Sequence, residues 1–116
     1  MKRVLWVARH APPTSALQEL KEMLGEYCLT WHRDSVYDVP SLLDAVGPED
    51  RVVATLPMDM LEVLVTLAGE KDLLPILRPV MRHRRTQGEI DGWRFVGFEE
   101  VLEARVRARR VGTWTS

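Results

Sequence analysis

The chain has 116 residues, of which 46% are hydrophobic and 28% charged, enough for one domain, residues 1–116, with its own core and too apolar for a disordered chain. The formal charge of −1 conceals an uneven distribution: residues 78–110 carry nine arginines against five acids, and the remainder carries seven bases against twelve acids. A basic third of this kind points to an anionic partner. A lone cysteine, Cys28, excludes an internal disulfide and fits a reducing, cytoplasmic setting, with the thiol buried in a strand. Only five apolar residues separate Arg3 from Arg9, too few for a signal peptide, and no apolar stretch reaches the roughly 20 residues of a spanning helix.

In chain order, residues 3–8 form a continuous apolar run of the kind buried on both faces of a parallel sheet. A helix follows over residues 14–24, with Ala16, Leu17, Leu20, Met23 and Leu24 on its apolar face and a capping-box spacing between Ser15 and Gln18. The second unit pairs a strand over residues 27–31 with a short helix over residues 40–46, for which Asp38 is the expected N-cap. The third pairs a β-branched strand, residues 51–56, with a helix over residues 58–68 opened by Pro57. Gly25, Gly47 and Gly69 fall 22 residues apart, each where a helix C-cap glycine belongs. The units share no side-chain pattern, so alternating strands and helices with a parallel sheet are preferred to a solenoid.

Beyond Gly69 the rhythm changes. Residues 73–77 read as a fourth strand, which Pro75 and Pro79 push towards an edge or a bulge. Residues 82–88, with Arg82, Arg84 and Arg85, read as a polar turn, and residues 93–98 as a strand. Residues 99–110 contain good helix formers. Even so, Leu102, Ala104, Val106 and Ala108 alternate with Glu103, Arg105, Arg107 and Arg109, the period of a half-buried strand, and a terminal β-hairpin is preferred. The expected fold class is therefore α/β: a three-layer fold with a mainly parallel sheet and a C-terminal β-hairpin.

In such sheets ligands bind at the carboxyl ends of the strands. The loops there carry Arg9, His10, Thr14 and Ser15 after the first strand, His32, Arg33, Asp34 and Ser35 after the second, and Thr55 after the third. Arginines, hydroxyls and free helix N–H groups form an anion-binding rim. Asp34 and Asp59 have the makings of a carboxylate pair, but Asp59 falls in a first helical turn, where an acid is favoured structurally. Trp6, Trp31, Trp93 and Trp114 read as core or surface aromatics, with Trp31 placed beside His32 to stack a base. The arginines at 82, 84 and 85 suit either a solvated loop or a grip on nucleic acid. No glycine-rich phosphate loop is present, and the histidines and cysteine lack metal-ligand spacing, so neither a metal nor a cofactor is expected.

Two families share motifs with this chain. Residues 7–12, Val-Ala-Arg-His-Ala-Pro, resemble the first-strand motif of the histidine phosphatase superfamily, although nothing resembles that family's late histidine motif. A longer resemblance, over residues 3–68, is to the small CRISPR-associated ring nucleases, Rossmann-like relatives of the domains that sense cyclic oligoadenylate. Arg9-His10 with a nearby proline, the second-strand end from Leu29 to Asp34, and Val53-Ala54-Thr55-Leu56-Pro57 carry it. It implies a Rossmann-like homodimer, with a role in antiviral defence, that binds a cyclic oligoadenylate and cleaves this RNA messenger as a metal-independent phosphodiesterase. Arg9 would clamp the phosphate and His10 transfer a proton, with Thr14, Ser15, His32, Arg33 and Thr55 contacting the ligand. A non-catalytic module that binds nucleotide or nucleic acid, a histidine-phosphatase-like phosphate-handling protein, and a structural partner protein are the competing readings.

Overall fold

The structure is a computed structural model that describes residues 2–33, 38–73, 75–86, 89–105 and 111–112. Eight elements follow in the order β1 (Lys2–Val7), α1 (Thr14–Leu24), β2 (Tyr27–His32), α2 (Val39–Asp44), β3 (Arg51–Ala54), α3 (Met58–Glu70), β4 (Ile76–Thr86) and β5 (Glu89–Glu100). They build one five-stranded sheet of order β2-β1-β3-β4-β5. The pairs β1–β2, β1–β3 and β3–β4 are parallel, and β4–β5 is an antiparallel hairpin. The expected α/β class, mainly parallel sheet and C-terminal hairpin are all present.

The continuous apolar character of β1 has a direct cause: both of its faces are covered. Leu5 and Val7 point into a core with α2 and α3, and Val4 and Trp6 into a second core with Ala16 and Leu20 of α1. Strand β3 divides likewise, Val52 and Ala54 to one side and Val53 to the other. Helices on both faces of the sheet make the three layers.

The edge strand β2 behaves differently from the expectation. Tyr27, Leu29 and Trp31 pack towards α1, while Cys28 and Thr30 alternate with them and are exposed. The buried thiol expected from its apolar neighbours is therefore corrected. An edge strand needs cover on one face only, and the apolar face here is the one that α1 covers.

Other local expectations change for equally specific reasons. Pro13 is the N-cap of α1 and no side chain caps that helix, so Ser15 lies inside the first turn and the Ser15–Gln18 box does not form. Gly25 closes α1 with φ 75°, a left-handed position suited to glycine. Gly47 and Gly69 are not C-caps: Ala45 caps α2, and α3 runs through Gly69 to Glu70 with Lys71 as its cap. Asp38 caps α2 as expected, accepting hydrogen bonds from the Ser41 N–H and hydroxyl at 3.2 and 2.7 Å.

The largest revision lies in the hairpin. Residues 82–86, read as part of a polar turn, continue β4, because β5 supplies a ladder partner for them. Strand β4 is also not an edge strand at its start, where Ile76 and Leu77 pair with Val52 and Val53. Pro79 is tolerated because it lies past that pairing, where only β5 flanks the strand. Strand β5 ends at Glu100, and residues 101–105 are not a strand. Val101 is buried and Leu102 exposed, against the expectation for Leu102, while Ala104 packs on the α2/α3 core between exposed Glu103 and Arg105, as the alternation predicts. Residues 106–110 lie outside the described residues.

Candidate functional site at the carboxyl edge of the sheet

Strands β1, β2 and β3 end level with one another. Val7 pairs with His32 on one side and with Ala54 on the other. The ladder extends one step further: the Ala8 N–H donates to the His32 carbonyl at 3.3 Å and the Thr55 N–H to the Val7 carbonyl at 2.9 Å. The strand order reverses at β1, since β2 lies on one side of it and β3 on the other. These strand ends thus lie at the edge, and at the reversal of strand order, where open α/β sheets bind ligands.

The structure brings Arg9, His10, Arg33 and Thr55 to this edge as exposed side chains, with His32 half-buried among them. Thr14 and Ser15 are exposed in the first turn of α1, whose leading amides face the same edge without a side-chain cap. Asp34 and Ser35 lie outside the described residues. Asp59 is exposed in the first turn of α3 and accepts a hydrogen bond from the Met60 N–H at 2.9 Å, the structural role its position predicts.

Two tryptophans shape the rim in a way the sequence did not signal. Trp6 and Trp31 are direct partners across the β1–β2 ladder. The Trp6 indole N–H donates to the His10 carbonyl at 3.1 Å, and the Trp31 indole N–H donates to the Ala8 carbonyl at 2.9 Å. The two accepted carbonyls bracket Arg9, so the loop that presents its guanidinium is pinned on both sides. Trp31 also carries the Arg33 guanidinium 5.2 Å from its ring centre, a cation–π contact. That face of Trp31, expected to be available for a base, is occupied by Arg33 in this structure.

At the amino end of the sheet the charges are satisfied internally. Arg3 donates to Asp50 from Nε at 3.2 Å and from Nη2 at 2.6 Å, and the Gly47 N–H donates to the same carboxylate at 2.8 Å. Burial pushes the Asp50 carboxyl up, but the Gly47 amide and the Arg3 guanidinium outweigh it and hold the group below the usual carboxylate range. Arg9 and Arg33 have no acidic partner among the described residues. Among the described residues, positive charge without an acidic partner therefore sits at the carboxyl edge.

Of the basic run, Arg82 is exposed on β4. Arg84 and Arg85 belong to the same strand, with side chains outside the described residues, as is Trp114. Among the described residues no group of three or more His, Cys, Asp or Glu is placed to hold a metal ion, and no helix is long and apolar enough to cross a membrane. No family model, curated protein or solved structure matches the chain.

Proposed function

We propose that the chain binds a cyclic oligoadenylate at this rim and cleaves it as a ring nuclease, a metal-independent phosphodiesterase of antiviral defence. The observation that carries the reading is the meeting of three strand ends at the point where the strand order reverses, with Arg9, His10, Arg33 and Thr55 exposed there. The motif order shared with small ring nucleases adds the substrate class. The ligand's ribose 2′-oxygen attacks the adjacent phosphorus as the P–O5′ bond breaks in line, giving a 2′,3′-cyclic phosphate and a 5′-hydroxyl. The 2′-hydroxyl proton leaves to a base, and the departing 5′-oxygen takes one up.

The protein's share of this chemistry is positioning and charge stabilisation. Arg9 clamps the non-bridging oxygens, and Arg33, Thr55, Thr14 and Ser15 donate around it, with His32 lining the rim. His10 moves the proton, a role to which an imidazole is suited near neutrality. A symmetric ring lies naturally on a two-fold axis, so the working unit is a homodimer with an isologous interface, and the single cysteine suits the cytoplasm.

Incubation of the protein with labelled cyclic tetra-adenylate in EDTA tests the reading. Linear products ending in a 2′,3′-cyclic phosphate are expected, with at least tenfold slower turnover in His10→Ala and Arg9→Ala. Tight binding without products would identify a non-catalytic sensor. Absence of both binding and cleavage would refute the proposal.

A further inference from the structure

Strand β4 does not stop where its neighbours do. Val53 pairs with Leu77 and Val7 with Ala54, so the rim lies level with Arg78. From there β4 continues to Thr86 with β5 beside it, and at about 3.3 Å per residue this two-stranded arm reaches roughly 26 Å past the rim, on the rim's own side.

On this arm Arg82 and Arg94 are exposed and directly opposite each other. Like charges in that position repel and destabilise the pairing. At the base of the arm the opposite solution appears, where Arg78 is paired across the strands with Glu99. Among the described residues no carboxylate answers Arg82 or Arg94. Successive strand residues alternate faces. Arg82 and Arg94 therefore lie on the opposite face of the arm from His83 and Trp93, whose rings stack with centres 3.6 Å apart.

We infer that the Arg82–Arg94 pair is a second anion site, which takes a phosphodiester of an oligoribonucleotide whose other phosphates lie at the rim. A phosphate between two guanidiniums turns their repulsion into charge-assisted hydrogen bonds. Arg82 stands four residues beyond the rim level, about 13 Å along the strand, and two strands across from β1, a separation that a ligand carrying several phosphodiesters spans. The ligand is thus a polyanion with several phosphodiesters and not a mononucleotide. The inference rests on the proposed function for the rim's share of the ligand; the arm's own phosphate contact is testable without cleavage.

The test compares the full chain with its Arg82→Ala/Arg94→Ala variant, measuring affinity for fluorescent linear and cyclic tetra-adenylate between 50 and 200 mM KCl. Each phosphate neutralised on a single strand contributes about 0.7 to the slope of log affinity on log salt, so the variant, which loses the one phosphate held by the pair, should show a slope smaller by about 0.7. Over that salt range the wild type should lose about 2.6-fold more affinity than the variant. Removing the repulsion should leave the melting temperature unchanged or higher, so that binding falls while stability does not. An unchanged slope, a lower melting temperature in the variant, or no binding of either oligonucleotide by the wild type would overturn the inference. Wild-type binding of the linear oligonucleotide with the expected change in slope, but no binding of the ring, would uphold the arm site and refute the ring-cleaving reading. Ring cleavage with an unchanged slope would do the reverse.

Discussion

Replacing Asp50 probes the clasp at the amino end of the sheet. Its carboxylate accepts three hydrogen bonds, two from Arg3 and one from the Gly47 amide, and Arg3 Nη2 also donates to the Ala45 carbonyl. One residue therefore joins the start of β1 to the end of α2 and the loop into β3. Its side chain is 14% exposed and that of Arg3 39%, so solvent screening reduces the ion pair to about 1 kcal/mol. The stranded Gly47 amide adds about 1 kcal/mol, making Asp50→Ala about 2 kcal/mol less stable. For a chain of this length that is a fall of roughly 8 °C in melting temperature.

The pH dependence carries a sign. The Asp50 carboxyl is held below its ordinary value in the folded protein, so its contribution is complete above the unfolded carboxylate pKa of about 3.9 and disappears as pH falls through the lower folded value. Thermal melts of wild type, Asp50→Ala and Asp50→Asn at pH 7, 5, 4 and 2.5 provide the assay. The gap between wild type and Asp50→Asn should be constant from pH 7 to 5 and narrow towards pH 2.5. A variant that melts within 1 °C of wild type at pH 7 would refute the reasoning, as would a gap that stays constant to pH 2.5.

Leu20 is fully buried and, with Ala16, anchors α1 to the sheet; Leu20→Ala should cost about 2–5 kcal/mol in urea unfolding, because the lost side chain leaves a cavity under one helix. Trp31→Phe keeps a ring beneath Arg33 but removes the hydrogen bond to the Ala8 carbonyl. It should cost about 1 kcal/mol and speed amide exchange at residues 9–11 while leaving β1 protected, as read by hydrogen exchange.

The first and third strand–helix units were legible because burial on both faces of a parallel sheet writes itself as unbroken apolar runs, and proline or glycine marks the gaps. The apolar periodicity of α1 predicts the residues observed but not its cap, because the helix begins at Thr14 with Pro13 as N-cap and leaves Ser15 inside the first turn. Segment 82–86 looked like a turn because its residues are nearly all polar. Its backbone is a strand because β5 pairs with it, a non-local fact that no window of that segment contains. Cys28 was misplaced for a related reason: an apolar neighbourhood says nothing about whether the sheet edge is covered.

The rim residues could be named in advance, since strand order alone sends their loops to one edge. The roles of Trp6 and Trp31 could not. An indole that donates to a backbone carbonyl leaves no motif, because every residue offers the same acceptor. The available sign was the matching position of the two tryptophans, each one residue before the end of its observed strand, and it acquires meaning only with the β1–β2 register.

The two ends of the sheet handle charge in opposite ways. At the amino end Arg3 meets Asp50, whereas at the carboxyl side Arg9, Arg33, Arg82 and Arg94 meet no acid among the described residues. Arg51, at the start of β3, departs from this division only in form, since its Nη1 donates to the Asp50 carbonyl. A surface shaped by stability alone gains nothing from placing Arg94 directly opposite Arg82, because a glutamate there would convert repulsion into attraction. Arg94→Glu should therefore raise the melting temperature and weaken oligonucleotide binding together. The loss of binding separates a site kept for a ligand from an ordinary solvated surface, on which the melting temperature would rise and binding would stay level.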